Sequence, residues 1–378
     1  MAKSASYDFL IIGGGLFGAY SALYLAEKGY NSCILEKENA LFRKASIVNQ
    51  ARLHGGYHYP RSVATARMSD DHRERFTEDH RDFVNFEFEQ YYAIEKYGSL
   101  TDVAQYERFC KFIGIPCKRV KDHPLFDYSR LAALYLTTEY SFDPILIAHY
   151  YMDRLKAEPR IEVRMEQELL HAETEGDMWR VEVQDHAKDE ISEIRAPVVI
   201  NATYAGSNAI NQLFGGANIE LQHEISEMAF VAAPAIQHLG LTVMDGPFGS
   251  IMPYGKAGLL SVSSVPYTHH RVSYEHLPKF SCQTPESGCR PDYMGDCNPC
   301  IERPATNYRK MLAQMRQYFS GKVEWQYFFS YFTVKSKLQA SFIDDGRPTE
   351  ISQLRQNPHF YCIFAGKVNS IYEIEKVV

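Results

Sequence analysis

The run NQARLHGGYHYPRS, Asn49 to Ser62, sets two histidines, two tyrosines, two arginines and a glycine pair within fourteen residues. An imidazole titrates near neutrality and can take a hydroxyl proton. A guanidinium pairs with carboxylate or phosphate through two parallel hydrogen bonds. Glycines let backbone approach a ligand closely. No helix or strand period fits the run, so it reads as the wall of a reactive pocket. His54 is the leading candidate base, followed by His58 and, far along the chain, Lys337. Each has a blander alternative. His54 can be a structural histidine bonded to backbone, His58 and Arg61 can sit in a packed loop, and Lys337 can be a solvated strand residue.

The elements that must position this wall begin at the N-terminus. Phe9 to Ile12 is a short apolar run, the pattern of a buried parallel strand. Gly13, Gly15 and Gly18 come next in G-x-G-x-x-G spacing. Leu16, Ala19, Leu23 and Ala26 continue at helical spacing to Gly29, and Ser32 to Leu35 reads as a second strand ending at Glu36. This order is a dinucleotide-binding unit. The first glycine permits the tight turn, the second admits a pyrophosphate to the helix N-terminus, and the third lets helix and strand pack. Glu36 can accept the ribose hydroxyls.

The segment after Glu36 narrows the dinucleotide. The run KENALFRKASIVNQARLHGGYHYP resembles the FAD-dependent oxidoreductase superfamily of D-amino-acid oxidase and glycerol-3-phosphate dehydrogenase. Within it, NQARLHGGYHYPRSVATAR is most similar to the L-2-hydroxyglutarate dehydrogenase/oxidase branch. Asn49, His54, Gly56, Tyr59, Pro60, Ala66 and Arg67 match that pattern, whereas Arg52, His58 and Arg61 depart from it. The resemblance implies an α/β fold, a Rossmann-like FAD-binding domain interleaved with an α+β substrate domain built on a mixed sheet. It implies FAD contacts from Gly13, Gly15, Leu16, Phe17, Gly18, Glu36, Lys37, Ser46, Asn49, Gln50, Arg52 and Leu53. On the same ground Gly55 and Gly56 are expected at the flavin ring, with His54, Tyr57, His58 and Tyr59 around the reacting carbon.

Later segments extend the resemblance. A helix is expected from Pro144 to Lys156, a strand at Ile161 to Arg164, and an antiparallel pair near Leu169 to Glu173 and Trp179 to Gln184. In the family the backbone near Leu169 meets the adenine. Val198 to Asn201 reads as another buried strand. The turn after it, with Ala202, Thr203 and Gly206, is similar to the family's VVNAAGxW signature but longer. Asp345-Gly346-Arg347-Pro348 resembles a DGxP run, and the arginine expected before it appears as Lys335 or Lys337. Gly366, Lys367, Val368, Asn369 and Ser370 resemble the last glycine turn and C-terminal helix, which face the pyrimidine end of the flavin. The expected division assigns 1–85, 144–215 and 340–378 to the FAD domain, and 86–143 and 216–339 to the substrate domain. A cysteine-rich insertion occupies about 278–304.

That insertion, CQTPESGCRPDYMGDCNPC, holds Cys282, Cys289, Cys297 and Cys300 within nineteen residues. In a chain without an export signal, four such cysteines suggest a tetrahedral structural zinc knot. Two disulfides, four free thiols, or redox work by Cys297 and Cys300 are the alternatives.

Composition sets the outer bounds. The 378 residues allow two domains, and a formal charge of −7 argues against a general nucleic-acid grip. Aromatics at 13% exceed packing needs and suit a pocket for something flat. The chain opens without an export pattern and has no apolar run long enough to span a bilayer, so a soluble, cytoplasmic protein is expected. The expected reaction moves hydride from a C–OH, or C–N, carbon of a small, acidic substrate to FAD. The acceptor is left open among oxygen, a quinone and another protein. The alternatives are an amine or amino-acid oxidase, a flavin-dependent step on a sugar or secondary metabolite, and an FAD-binding assembly protein that is no enzyme.

Overall fold

The computed structural model describes residues 4–70, 72–321, 323–339 and 349–377, with no side-chain detail for 68–70. The resemblance to DGxP at Asp345–Pro348 lies outside the described residues.

Phe9–Ile12, buried along its length, pairs in parallel with Ser32–Leu35 on one side and Val198–Asn201 on the other. Ile161–Arg164 extends the sheet in parallel beyond Ser32–Leu35, and His359–Phe364 extends it beyond Val198–Asn201. Glu350–Gln356 closes the far edge antiparallel, making six strands. Side chains alternate across such a sheet. Phe9 and Ile11 face a core with Leu16, Leu23, Ile147, Tyr151 and Tyr372, drawn from the helices Leu16–Glu27 and Pro144–Ala157 and the C-terminal segment. Leu10 and Ile12 face the opposite core with Trp179, Val181, Val183 and Ile194, from a four-stranded sheet of Ser4–Ser6, Glu190–Ala196, Met178–Asp185 and Gln167–Glu175. Continuous apolar strands are required because both faces are covered.

A nine-stranded mixed sheet forms the roof. At its centre Leu239–Met244 runs parallel to Glu89–Glu95, while Leu221–Ala232 pairs antiparallel along its length with Gln326–Leu338. Alternation again sorts its residues. Tyr91 and Ala93 pack with Met311, Leu312 and Met315 of the helix Tyr308–Arg316. Tyr92 and Ile94 pack on the other side with Tyr106 and Phe109 of the helix Val103–Ile113, and with Tyr57 and Tyr59. The reactive stretch is thereby clamped under the roof.

A three-stranded ribbon fixes its position. Arg52–Leu53 pairs antiparallel with Tyr140–Phe142, in the register Arg52↔Ser141 and Leu53↔Tyr140. Asp143, directly after the ribbon, accepts from the amides of Ile145 and Leu146 at 3.1 and 3.0 Å and so starts the helix at Pro144. The C-terminal segment Val368–Lys376 is a 3-10 helix interrupted at Ser370, where the sequence suggested one regular helix. Among the described residues no helix is long and apolar enough to cross a membrane.

Candidate active site

One continuous cavity of about 1450 Å³ runs between the six-stranded sheet and the roof. It exceeds the roughly 300–1,000 Å³ usual for a single small ligand, leaving room for an elongated cofactor and a substrate together. Its wall includes Gly13, Gly15, Leu16, Phe17, Glu36, Lys37, Ser46, Asn49, Gln50, Arg52, His54 and His58. It also includes Leu169, Ala202, Thr203, Gly206, Lys337, Gly366, Lys367 and Val368. Residues expected at separate points along the chain are thus brought to one space. Gly18, Leu53, Asn369 and Ser370 stand outside this lining. Gly18 instead meets the turn itself, for a Cβ there would lie 2.0 Å from the Gly13 carbonyl oxygen.

At one end lies the glycine turn. Gly13 has φ +106°, and a Cβ on it would stand 2.8 Å from the carbonyl oxygen of Ala202. A Cβ on Gly15 would meet Ser46 Oγ at 2.9 Å, and that hydroxyl accepts the Leu16 amide at 3.0 Å. Glu36 accepts from Gly14 N at 2.7 Å and Glu38 N at 2.9 Å, which holds its carboxylate at the strand end. The strand Gln167–Glu175 changes register between Leu169 and His171, and Leu169 lines the cavity. Asn201, fully buried, pins the second turn by accepting from Thr203 N and Oγ1 at 3.1 and 2.6 Å. Tyr204 carries that turn to the roof by donating to Ser336 O at 2.7 Å.

The reactive stretch forms the middle. The imidazole of His54 lies 6.2 Å from that of His58 and 5.8 Å from the Tyr59 ring, centroid to centroid. Lys367 Nζ donates to Tyr59 Oη at 2.6 Å. Beneath His54 is a buried polar group the sequence did not reveal. Glu139, 1% exposed, accepts from Gly55 N at 2.9 Å and from Tyr92 Oη at 2.6 Å. Its Oε1 stands 3.9 Å from His54 Nδ1, and its Oε2 stands 3.6 Å from Arg52 Nε. Arg52 also donates to Tyr92 Oη at 3.0 Å and Ser250 Oγ at 3.2 Å. Burial pushes the Tyr92 phenol well up, so it remains a neutral donor to Glu139.

The expectation for Gly55, Gly56 and Tyr57 is corrected by their placement. Gly56 has φ +88° and backs onto the Ala66 carbonyl, which a Cβ would approach to 3.0 Å. Gly55 backs onto the Tyr57 ring, and Tyr57 donates away from the cavity to Pro116 O at 2.7 Å. The glycine pair makes the turn that presents His54 and His58, and none of these three residues lines the cavity. Arg61, read as an anion partner, is paired with Asp245 at 2.5 Å.

On the roof, Lys337 Nζ lies 3.1 Å from Glu224 Oε1, and His269 Nδ1 lies 2.9 Å from Glu224 Oε2. Burial alone would raise the Glu224 carboxyl. The hydrogen bond and charge of His269, with the charges of Lys335 and Lys337, outweigh it and hold the carboxyl at about 2. His269 is itself lowered, because burial outweighs the pull of Glu224.

The cysteine expectation fails in its first form. Among the described residues no group of three or more His, Cys, Asp and Glu is placed to hold a metal ion, and all eight cysteines are free. Cys282, Cys289 and Cys297 pack instead in an apolar cluster with Phe280, Met294 and Phe332. A capped turn at Pro285–Ser287 separates the first two, and Cys300 faces a different, outer groove. Cys297 does line the main cavity, where burial raises its thiol to about 12.

The family model described as FAD dependent oxidoreductase (DAO) matches residues 8–327. The chain belongs to that family. A relative, the FAD-dependent monooxygenase FPY4 of Fusarium mangiferae, is 25% identical over 260 residues. The match covers 68% of this chain and 64% of that relative's length. Among solved structures, L-alpha-glycerophosphate oxidase from Mycoplasma pneumoniae superposes with TM-score 0.72 at 12% identity, covering 98% of this chain and 93% of that one. Glycine oxidase from Geobacillus kaustophilus gives 0.68 at 14% identity, covering 97% and 90%. These likenesses carry the fold alone, and none singles out the L-2-hydroxyglutarate branch.

The residues of this DAO-family chain fit FAD. The Gly13–Gly15 cradle is one that a Cβ would fill, the helix Leu16–Glu27 begins beside it, and Glu36 ends the second strand. Of the polar partners around His54, Arg52 was expected in the site. Glu139, Tyr92, Ser250 and Asp245 were not.

Proposed function

We propose that this FAD-dependent oxidoreductase removes hydride from a carbon bearing oxygen or nitrogen on a small substrate, held between His54 and the roof. When bound, FAD supplies the hydride acceptor. The chain's own part is to take a proton from the substrate's OH or NH and to hold the reacting carbon in place. The observation that carries this reading is the His54 imidazole, facing the same cavity as the glycine cradle and backed by the carboxylate of Glu139. A base placed in this way accepts the proton as hydride leaves. A carboxylate behind an imidazole favours its protonated form once the proton has moved.

The charge around the cavity refines the substrate. Arg52 faces Glu139 and Arg61 faces Asp245, so each arginine of the reactive stretch is matched by a carboxylate. Lys367, bonded to Tyr59, supplies positive charge on the wall near the imidazoles, which suits one carboxylate on the substrate. A 2-hydroxy acid and an amino acid both satisfy this. The fold neighbours include a glycerophosphate oxidase and a glycine oxidase, which by name act on an alcohol phosphate and on an amino acid.

The test is anaerobic mixing of FAD-loaded protein with hydroxy acids, amino acids and amines while flavin absorbance is followed. Bleaching with a ketone product and no ammonia selects the hydroxy acid, and ammonia release selects the amine. If dithionite bleaches the flavin while no such substrate does, the proposed reaction is wrong.

A further inference from the structure

The cysteine-rich insertion leaves the roof and crosses to the dinucleotide end of the cavity. Asp292, Tyr293, Met294, Gly295 and Cys297 line the same space as Gly13, Glu36 and Leu169. It is tied down on both sides. On the roof side, Asn298 Oδ1 accepts from Phe332 N at 2.8 Å. On the other side, Asp296 pairs with Arg43 at 3.1 Å with its side chain only 5% exposed. Arg290 pairs with Glu168 at 2.9 Å, beside Leu169. The carbonyl of Met294 accepts from Lys44 Nζ at 2.8 Å and also from Lys37 Nζ. Lys37 further lies 4.6 Å from the Tyr293 ring centroid.

The turn itself is internally braced. Arg290 and Tyr293 exchange backbone hydrogen bonds at 3.0 and 3.1 Å. Asp296 Oδ1 accepts from Asn298 N and Nδ2 at 2.9 and 2.8 Å, leaving Oδ2 to meet Arg43. A surface insertion with no role at the cavity has no reason to make five contacts to four residues, Lys37, Arg43, Lys44 and Glu168, at the dinucleotide end. A rigid segment held at both ends across a ligand's exit slows that ligand's departure, because several ties must open together.

We propose that residues 290–297 are a clasp over the adenosine half of FAD, forming part of the cofactor site and setting how slowly FAD leaves. The clasp rests on the reading of this cavity as the FAD site. The cysteines beside it serve as its apolar footing.

The test is hydrogen exchange of the full-length protein with and without FAD, followed by mass spectrometry, together with the FAD release rate. Amides in 290–297 should exchange at least tenfold more slowly when FAD is loaded, while those in 300–306, along the outer groove, should not change. The double variant Arg43→Ala with Arg290→Ala cuts two ties of the clasp without touching the glycine cradle. It should release FAD about tenfold faster than wild type, in protein whose apo form still melts cooperatively. Equal exchange at 290–297 in protein shown to hold FAD overturns the clasp, and so does wild-type release from the double variant. If wild-type protein takes up no FAD, the cofactor reading itself fails, so the two failures are distinct.

Discussion

The Oε1 oxygen of Glu139 accepts the amide of Gly55 at 2.9 Å and lies 3.9 Å from the Nδ1 of the preceding residue, His54. One carboxylate therefore holds both the backbone that turns the reactive stretch and the side chain it presents. Its other oxygen meets Tyr92 and Arg52, so the same group neutralises the most deeply buried cation of the site.

Glu139→Ala should be severely destabilising. It removes the partner of a fully buried arginine, and an uncompensated buried charge costs about 3–5 kcal/mol. Glu139→Gln retains an acceptor for Gly55 N and should cost less. Thermal melting of both apoproteins reads the difference. An alanine variant that melts with wild type would mean that Arg52 is not balanced by Glu139.

Gly15→Val should abolish FAD binding. A Cβ at this position already stands 2.9 Å from Ser46 Oγ, and a branched side chain would fill the space where the phosphates approach. Titration of apoprotein with FAD, followed by flavin fluorescence, measures it. The folded apoprotein should survive, so retained tight binding would place the phosphates elsewhere.

The roof should weaken in acid through Glu224. Its carboxyl sits at about 2 in the folded protein against an ordinary 4.5. A depressed acid stabilises fully above its unfolded value, and that contribution is lost as pH falls through the folded one. Between pH 4.5 and about 2 the wild-type melting temperature should therefore drop more steeply than that of Glu224→Gln. Parallel curves would show that His269, Lys335 and Lys337 do not hold this carboxylate charged.

Much of the fold was legible where the signal is local. The strands Phe9–Ile12, Ser32–Leu35 and Val198–Asn201 stand where their apolar runs put them, because a doubly covered parallel strand must be apolar along its length. The glycine turn is equally local. Glu139 was not legible. It reaches His54 only because Leu53 pairs with Tyr140, and no pattern in a single sequence announces that register. The one hint was an acid within an aromatic, strand-like run just before the Asp143 cap. The cysteines misled for the opposite reason. Their spacing was visible, but the turn at Pro285–Ser287 and the apolar packing of Cys282, Cys289 and Cys297 were not.

The central claim is that His54 takes the substrate's proton, and the rate of flavin bleaching by substrate in anaerobic stopped flow tests it most directly. Once the substrate screen has supplied a reductant, His54→Ala should keep FAD and fold normally yet bleach about a hundredfold more slowly or worse, the usual scale for a lost general base. The wild-type rate should fall as acid protonates the imidazole, and the variant should lose that dependence. A folded, FAD-loaded His54→Ala protein that bleaches at the wild-type rate would contradict the claim.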